Sequence, residues 1–362
     1  MRGFGCCALV LAALLPAPLA ASATEQVVAK VGEAAGLTAY GGHVVWSQRD
    51  PATGRWQLRQ WHAGHVSRLA VSERGVPFDA DAGPDAHGRP VLVYSRCRLD
   101  PAGTFPGVYY ATADWTFAEG CDIFETDLAT GRSHRLGAVS SRSGSETTPS
   151  IWRGSLAFAR HGADRGFARV LIHAARGTST LPGGTRYAAI PRRPKPAAAP
   201  DSLDLGPRVL TFIRLVDDTG ASGNDDRAWE LWIDSRRSHN AVEPATGGTG
   251  ECNKRVLISP NAVGLGAQWL YSTGGCDIPN GTPESSDAFA FDWATRSTKQ
   301  ASPPPFAAGL ARDGQSIWLL RAQPVPLYIY ATGETIETNP TTCSATTSCE
   351  LVRATGLAFG RR

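Results

Sequence analysis

The hydrophobic and polar positions of the chain repeat as short apolar runs that end on an aromatic residue or leucine. A glycine turn precedes each run, and a segment with alternating apolar and polar residues follows it. Alternation with a period of two is typical of half-buried antiparallel strands. Copies recur at intervals of roughly 50 to 60 residues, close to the length of a four-stranded propeller blade with long loops. The six apolar runs are residues 44–46, 92–94, 156–158, 210–212, 268–271 and 317–320.

The alternating segments predict the third strand of each blade: residues 56–61, 122–126, 170–173, 229–233, 288–291 and 327–330. Residues 27–31 are predicted to supply the outer strand of the last blade and so to join the two termini. For residues 349–359 two placements stay open, as the final strand of blade six or as a segment that closes the ring. The fold class predicted is therefore all-β, a six-bladed β-propeller of four-stranded antiparallel blades, because ring closure shields sheet edges.

The best-formed copy spans residues 83–136. It has a turn with Pro84, Asp85 and Gly88, then an apolar run ending Tyr94-Ser95, then D-I-F at residues 122–124 and D-L-A-T-G at residues 127–131. These residues resemble the WD40-like (PD40-type) repeat of TolB-like propellers, whose pattern runs P-D-G-x-x-hydrophobic-aromatic-S, then D-I-Y, then D-L-x-T-G. The resemblance implies an exported recognition scaffold. We expect neither the N-terminal α/β domain of TolB nor a fused catalytic domain in this sequence, a departure that argues against transport-complex and peptidase roles.

Residues 1–23 are predicted to be a signal peptide. Arg2 supplies a positive n-region, residues 8–15 an apolar h-region, and residues 21–23 an A-x-A cleavage site. The apolar run is too short to span a bilayer. We therefore expect a secreted or periplasmic monomer whose single propeller domain occupies residues 24–362.

Composition narrows the range of partners. Apolar residues make up 42% and charged residues 19% of the chain, so a sizeable core can be buried. The formal charge is +3, and the basic residues are spread along the chain, which does not indicate a nucleic-acid partner. The partner expected is an extracellular or periplasmic protein or glycan, with no cofactor.

Six cysteines remain after the predicted signal, an even number for an oxidising compartment. No C-x-x-C motif is present, so a metal site is not indicated. Their positions in the blades predict three structural disulfides: Cys97–Cys121, Cys252–Cys276 and Cys343–Cys349.

The long connections are predicted to lie on one face of the ring. They join the second strand of a blade to its third, or the fourth strand to the next blade, while the other connections are tight turns. Insertions that collect on one face of a repeat fold usually build its binding surface, although neutral variation of exposed loops is an alternative. The long connections are residues 96–119, 178–200, 216–226, 239–255 and 272–286.

Three groups of residues on this face or in the central tunnel are candidates for binding. Aromatic residues in the first long loop can stack on a ligand or pack into the loop's own core. An acidic run can hold calcium through oxygen ligands, although its spacing is not that of an EF-hand and a solvated hairpin tip is the alternative. The aromatic residues are Phe105, Tyr109, Tyr110, Trp115 and Phe117, and the acidic run is Asp217, Asp218, Asp225 and Asp226.

The third group is Asp81 and Asp204, which occupy matching D-x-G-P positions on predicted inner strands. They are expected to face the central tunnel, either as hydrated lining or as a site for a cation or polar ligand. His62 and His65 have an H-x-x-H spacing that can chelate zinc, but without a third ligand nearby they are interpreted as a surface turn.

The sequence lacks two motifs that mark common classes of hydrolase. It contains no G-x-S-x-G elbow and no H-E-x-x-H helix. The function predicted is non-catalytic binding of a protein or carbohydrate on the long-loop face. The alternative is a secreted carbohydrate-active enzyme, a glycosidase or lyase, which uses a pair of carboxylates on that face or in the tunnel.

Overall fold

The computed structural model describes most of the chain after the predicted signal, and every regular element in the described residues is a β-strand. The described residues are 24–101, 118–162, 168–180, 200–218, 226–233, 236–237, 255–264, 266–273, 285–292, 294–302, 307–329, 334–338, 343–344, 347, 349–355 and 358–361.

The strands follow one another with no intervening helix in these residues. The first nine are β1 (Thr24–Val31), β2 (Ala34–Tyr40), β3 (His43–Arg49), β4 (Trp56–His62), β5 (His65–Arg68), β6 (Asp81–Pro84), β7 (Pro90–Arg96), β8 (Asp122–Asp127) and β9 (Ser133–Arg135). The next eight are β10 (Gly144–Trp152), β11 (Ser155–Gly162), β12 (Ala168–Ala174), β13 (Gly177–Thr180), β14 (Pro200–Leu205), β15 (Leu210–Asp218), β16 (Asp226–Ile233) and β17 (Arg236–Arg237). The last ten are β18 (Arg255–Val263), β19 (Gly266–Thr273), β20 (Ser285–Asp292), β21 (Ser297–Ser302), β22 (Gly309–Asp313), β23 (Ser316–Ala322), β24 (Val325–Ile329), β25 (Glu334–Thr338), β26 (Cys349–Thr355) and β27 (Ala358–Arg361).

Antiparallel pairing groups these strands into six blades. Blades one to four are consecutive sets of four strands, β2–β5, β6–β9, β10–β13 and β14–β17. Blade five contains β18–β21 with β27 at its outer edge, and blade six has the order β22-β23-β26-β1. The first strand of each blade contacts the first strand of the next, and β22 of blade six contacts β2 of blade one. The fold is a six-bladed β-propeller with a closed ring.

Closure of the ring uses the N-terminal strand, as the sequence predicts. β1 pairs with β26 from Thr24 opposite Thr355 to Val31 opposite Cys349. An ion pair of 2.7 Å between Arg321 Nη1 and Glu25 Oε2 adds a contact between β1 and β23. One blade therefore draws its strands from both ends of the chain, and β1 covers the outer edge of β26.

The predicted third strand of blade six, residues 327–330, is wrong. Residues 325–329 form β24, which pairs with β25 as a separate two-stranded hairpin inserted between β23 and β26. The third strand is β26, whose Val352 lies opposite Leu319. Apolar and polar residues alternate in both segments, so the local pattern does not distinguish them. β26 is the third strand because it pairs with both β23 and the N-terminal strand β1, where its apolar residues are buried.

The last segment of the chain also differs from both placements that the sequence left open. Residues 349–359 divide between two blades, because β26 belongs to blade six and β27 pairs with β21 of blade five. Blade five is consequently five-stranded, with Lys299 opposite Arg361 and Ser302 opposite Ala358. The chain ends are thus attached to neighbouring blades.

The hydrophobic core lies between adjacent blades. Aromatic residues of the second strands are among the largest fully buried side chains: Trp46, Tyr94, Phe158 and Phe212. One buried cluster joins blade one to blade two through Val45, Leu58, Leu92 and Tyr94, and similar clusters lie at other junctions. Burial of such a side chain contributes about 1.5–3 kcal/mol, so the apolar runs of the second strands drive blade-to-blade packing.

The turns of blade two explain why its sequence motif is so clear. The Asp127 carboxylate accepts hydrogen bonds from the amides of Ala129 (3.0 Å) and Thr130 (2.8 Å), and Gly131 supplies a φ of 72°. Asp85 accepts in the same way from the amide of His87, 2.8 Å away. Aspartate side chains that bond to the following backbone fix such turns, and glycine adopts positive φ at little cost.

Candidate functional site

The connections between strands distribute unequally over the two faces of the ring. Alternate connections of an antiparallel blade lie at opposite ends of its strands. The first-to-second and third-to-fourth connections are short, such as residues 41–42, 63–64 and 153–154. The other set contains every long connection: residues 69–80, 97–121, 181–199, 238–254, 274–284 and 323–348. We call the face that carries this second set the long-loop face.

The base of the first long connection, residues 97–121, is closed by several contacts. Cys97 and Cys121 form a disulfide, and Cys121 is fully buried. Next to it the Leu99 amide donates to the Glu119 carbonyl (3.1 Å), and the Glu119 amide donates back to the Leu99 carbonyl (3.0 Å). The two ends of the loop are therefore fixed in an antiparallel arrangement that restricts the segment between them.

Arg74 anchors this loop base to the connection between blades one and two. Its Nη2 donates to Asp100 Oδ1 at 2.6 Å and its Nη1 donates to the Ser95 carbonyl at 3.1 Å. Nη1 also lies 3.6 Å from Asp79 Oδ1, and the guanidinium lies over the ring of Phe78. The Arg74 side chain is only 6% exposed. A buried cation with two carboxylate partners holds its geometry tightly, since separation leaves a buried charge uncompensated.

The candidate ligand residues of the long-loop face fall partly outside the described residues. The structure does not describe residues 102–117, which contain all five candidate aromatic residues: Phe105, Tyr109, Tyr110, Trp115 and Phe117. Asp225 of the acidic run also lies outside the described residues. The described acidic residues stand at the base of a hairpin: in the backbone pairing Asp217 lies opposite Arg227 and Asp218 opposite Asp226. Their roles, including calcium binding, stay predictions.

A belt of polar contacts joins the first strands around the centre of the ring. In the described residues, each junction between neighbouring blades has at least one such contact, and the six below each involve an inner-strand side chain. In order around the ring they are Thr38 Oγ1 to Asp81 Oδ1 (2.8 Å), Ser150 Oγ to Asp81 Oδ2 (2.6 Å), Leu205 N to Ser150 Oγ (2.7 Å), the Ala262 amide to the Asp204 carboxylate, Asn261 Nδ2 to the Leu310 carbonyl (2.9 Å), and Gly42 N to Asp313 Oδ2 (2.7 Å).

Asp81 and Asp204 occupy this belt, the former on β6 and the latter on β14. Both residues retain partial solvent exposure, yet protein surrounds their carboxyl groups. Burial raises the pKa of Asp81 to about 6, against hydrogen bonds from Ser150, Thr38 and the Ile151 amide that favour its charged form. Burial, and then the charge of Asp81, raise the pKa of Asp204 well above its ordinary value. That the pair lines a tunnel and binds a ligand there stays a prediction.

Two of the three predicted disulfides are present. Besides Cys97–Cys121, Cys343 and Cys349 form a bridge with both residues buried. Cys252 and Cys276 lie outside the described residues.

His62 and His65 lie opposite each other in a tight, exposed turn between β4 and β5. The His62 ring stacks on His43 with 3.8 Å between ring centroids. Within the described part of the chain, no group of three or more His, Cys, Asp or Glu side chains is arranged to hold a metal ion.

Sequence reasoning missed Arg74, Thr38 and Ser150, which hold the loop base and the belt. Arg74 lies in the polar segment Ser72-Glu73-Arg74-Gly75, and no local pattern indicates its burial. Thr38 and Ser150 are single hydroxyl residues on inner strands. A usable signal exists only for Asp81 and Asp204, whose D-x-G-P motif repeats.

Three solved structures are similar to this chain at low sequence identity. TolB from Acinetobacter baumannii is 12% identical over 89% of this chain and 67% of that one, with a TM-score of 0.39. The tricorn protease is 12% identical over 85% of this chain and 26% of its own, with a TM-score of 0.43. Penicillium chrysogenum α-L-arabinanase, complexed with arabinobiose, is 8% identical over 92% and 99%, with a TM-score of 0.46. No protein-family model and no curated protein matches the sequence.

Similarity to solved structures at these sequence identities does not extend to function.

Among the residues that the structure describes, there is no helix with the length and apolarity that a membrane span requires.

Proposed function

We propose that the protein is an exported binding scaffold whose ligand, a protein or a glycan, lies on the long-loop face. The observation that carries this proposal is the unequal distribution of connections, with every long one on a single face of a rigid ring. Binding residues are concentrated on loops that a rigid scaffold positions. The disulfides support export, because such bonds persist in oxidising compartments.

The first long connection is the strongest single element of the proposed surface. Its base is held by the Cys97–Cys121 disulfide and by Arg74, so the segment between the cysteines is presented from fixed ends. A loop restricted in this way loses less conformational entropy when it binds. Its aromatic residues are of the types that are enriched where proteins bind partners.

Replacement of residues 102–117 by a glycine-serine linker of equal length, with both cysteines kept, is expected to weaken ligand binding by at least about tenfold. The measurement is calorimetric titration against a panel of soluble polysaccharides and secreted proteins. A matched control changes the opposite face, with His65→Ala and Arg132→Ala combined, and should bind like the wild type. Wild-type affinity in the linker variant, or lost binding in the control, would contradict the proposal.

The same panel distinguishes binding from catalysis. Saturable binding without new reducing ends supports the scaffold. Release of reducing ends that is abolished by Asp217→Ala or Asp225→Ala would instead favour the carbohydrate-active enzyme.

A further inference from the structure

The carboxyl groups of Asp81 and Asp204, the acidic pair of the belt, are surrounded by protein. Asp81 receives Thr38 Oγ1 from blade one at 2.8 Å and Ser150 Oγ from blade three at 2.6 Å. The Ile151 amide adds a third donor at 3.1 Å. Ser150 Oγ accepts in turn from the amide of Leu205, the residue after Asp204. Three donors, one of which is a serine that also bonds to blade four, thus connect four blades around a single carboxylate.

Asp204 has much weaker support for a negative charge. The described donor to its carboxyl group is the Ala262 amide of blade five, and the negative charge of Asp81 raises its pKa further. No cation is among the groups that act on it in the described residues. Asp81 therefore suits the ionised form and Asp204 the protonated form, because like charges in a buried site cannot both ionise cheaply.

We propose that Asp81 and Asp204 act as one proton-binding pair that tightens the centre of the ring at mildly acidic pH and loosens it when the proton is lost. When Asp204 is protonated, the carboxylate of Asp81 keeps its bonds to blades one and three without repulsion from blade four. When both are charged, repulsion pushes β6 and β14 apart, and the Ser150 hydroxyl of β10, which bonds to Asp81 on β6 and to the Leu205 amide on β14, bears the strain.

The neighbouring ionisable groups do not neutralise the pair. Asp79, two residues before Asp81, accepts from Ser95 and the Thr148 amide and lies 3.6 Å from Arg74, so that cation is already matched. The remaining partners from β2, β10 and β18 are hydroxyls and amides. Asp79 also contacts Arg74 and Ser95 at the base of the first long connection. Loosening of the centre therefore also changes the position of this loop base on the long-loop face.

The sign of the pH effect follows from the direction of the shifts. Both pKa values are raised in the folded state, that of Asp81 from 3.8 to about 6. The folded ring therefore binds more protons than the unfolded chain above about pH 4, and stability from the pair falls as pH rises through about 6 and beyond. Glu146, whose pKa burial also raises, acts in the same direction.

Buried histidines act in the opposite direction. Burial lowers the pKa of His161 from 6.5 to about 4 and lowers that of His43, so their contribution to stability rises with pH over that interval. The pH dependence of the wild type alone is therefore not diagnostic. The diagnostic quantity is the difference in stability between the wild type and a variant of the pair, measured as a function of pH.

The test is Asp204→Asn, which preserves shape and an oxygen to accept from Ala262. Urea unfolding from pH 4.5 to 8 should show that the folding constant of the variant, relative to the wild type, increases by at least about tenfold across that range. The control is Asp292→Asn at the exposed end of β20: hydrogen bonds from the amides of Thr295 and Ala294 lower the pKa of Asp292, so it stays ionised throughout and should give a pH-independent difference. Asp81→Asn should be less stable at every pH, since it loses an acceptor, and should also flatten the pH dependence.

Hydrogen exchange gives a readout that stability alone does not. After correction for intrinsic rates, the amides of Ile151 and Leu205 should lose protection between pH 5 and 8 in the wild type, relative to Leu92 in a second strand, and should keep it in Asp204→Asn. A constant stability difference between Asp204→Asn and the wild type, or equal loss of protection in both, would overturn the proposal.

Discussion

Alanine at position 83 is expected to destabilise the protein by more than about 3 kcal/mol, or to prevent folding. Gly83 lies on β6, the first strand of blade two, and faces the Ile151 main chain on β10, the first strand of blade three. A Cβ atom there would collide with the main-chain carbonyl of Ile151. Relief by movement is blocked, because Gly83 pairs with Val91 and the Ile151 amide donates to Asp81. Urea unfolding followed by tryptophan fluorescence measures the effect.

The matched control for this variant is Gly137→Ala. A Cβ at Gly137 meets no atom within 4 Å, and its φ lies outside the left-handed region. The change should alter the free energy of unfolding by less than about 1 kcal/mol, and it can be slightly stabilising because alanine restricts the unfolded chain. A Gly83→Ala protein as stable as Gly137→Ala would show that blades two and three are not packed this closely.

Replacing Arg74 by methionine should have the second large effect, a loss of about 3–5 kcal/mol. Methionine fills much of the space but leaves the Asp79 carboxylate, 1% exposed, without its cation, and frees Asp100 at the loop base. The control is Arg135→Met, which removes a 2.7 Å pair with Asp122 whose arginine is 51% exposed. That pair should contribute at most about 1 kcal/mol.

The same two variants distinguish a local effect on the loop base from an effect on the stability of the whole protein. In conditions where Arg74→Met remains folded, limited proteolysis should cut within residues 102–117 faster than in the wild type and in Arg135→Met. Equal cleavage rates with an unchanged unfolding midpoint would show that Arg74 does not hold the loop.

Local sequence was sufficient for the elements whose structure is decided locally. The second strands carry their own apolar runs, and turns such as that of Asp127 are fixed by bonds within a few residues. The third strand of blade six was not predicted correctly, because β24 and β26 have equally suitable alternation. Only pairing with β23 and the distant β1 selects β26, and that choice depends on contacts across most of the chain.

The candidate site shows the same division. Asp81 and Asp204 could be found because their motif repeats, and the disulfide partners because cysteines have fixed places in the blades. Arg74, Thr38 and Ser150 could not, since an arginine or a hydroxyl acquires its role only when strands from other blades surround it. Their partners lie as many as 69 residues away, as between Ser150 and Asp81.

Closure of six blades into a ring by the N-terminal strand is the claim on which the long-loop face depends. Native-state hydrogen exchange of the β1 amides tests it most directly. Paired as the outer strand of blade six, the Lys30 and Val31 amides should exchange with protection within about tenfold of their β26 neighbours Glu350 and Cys349. Exchange of β1 at unprotected rates while β26 stays protected would mean that the N-terminal segment is a loose end and the ring is not closed as described.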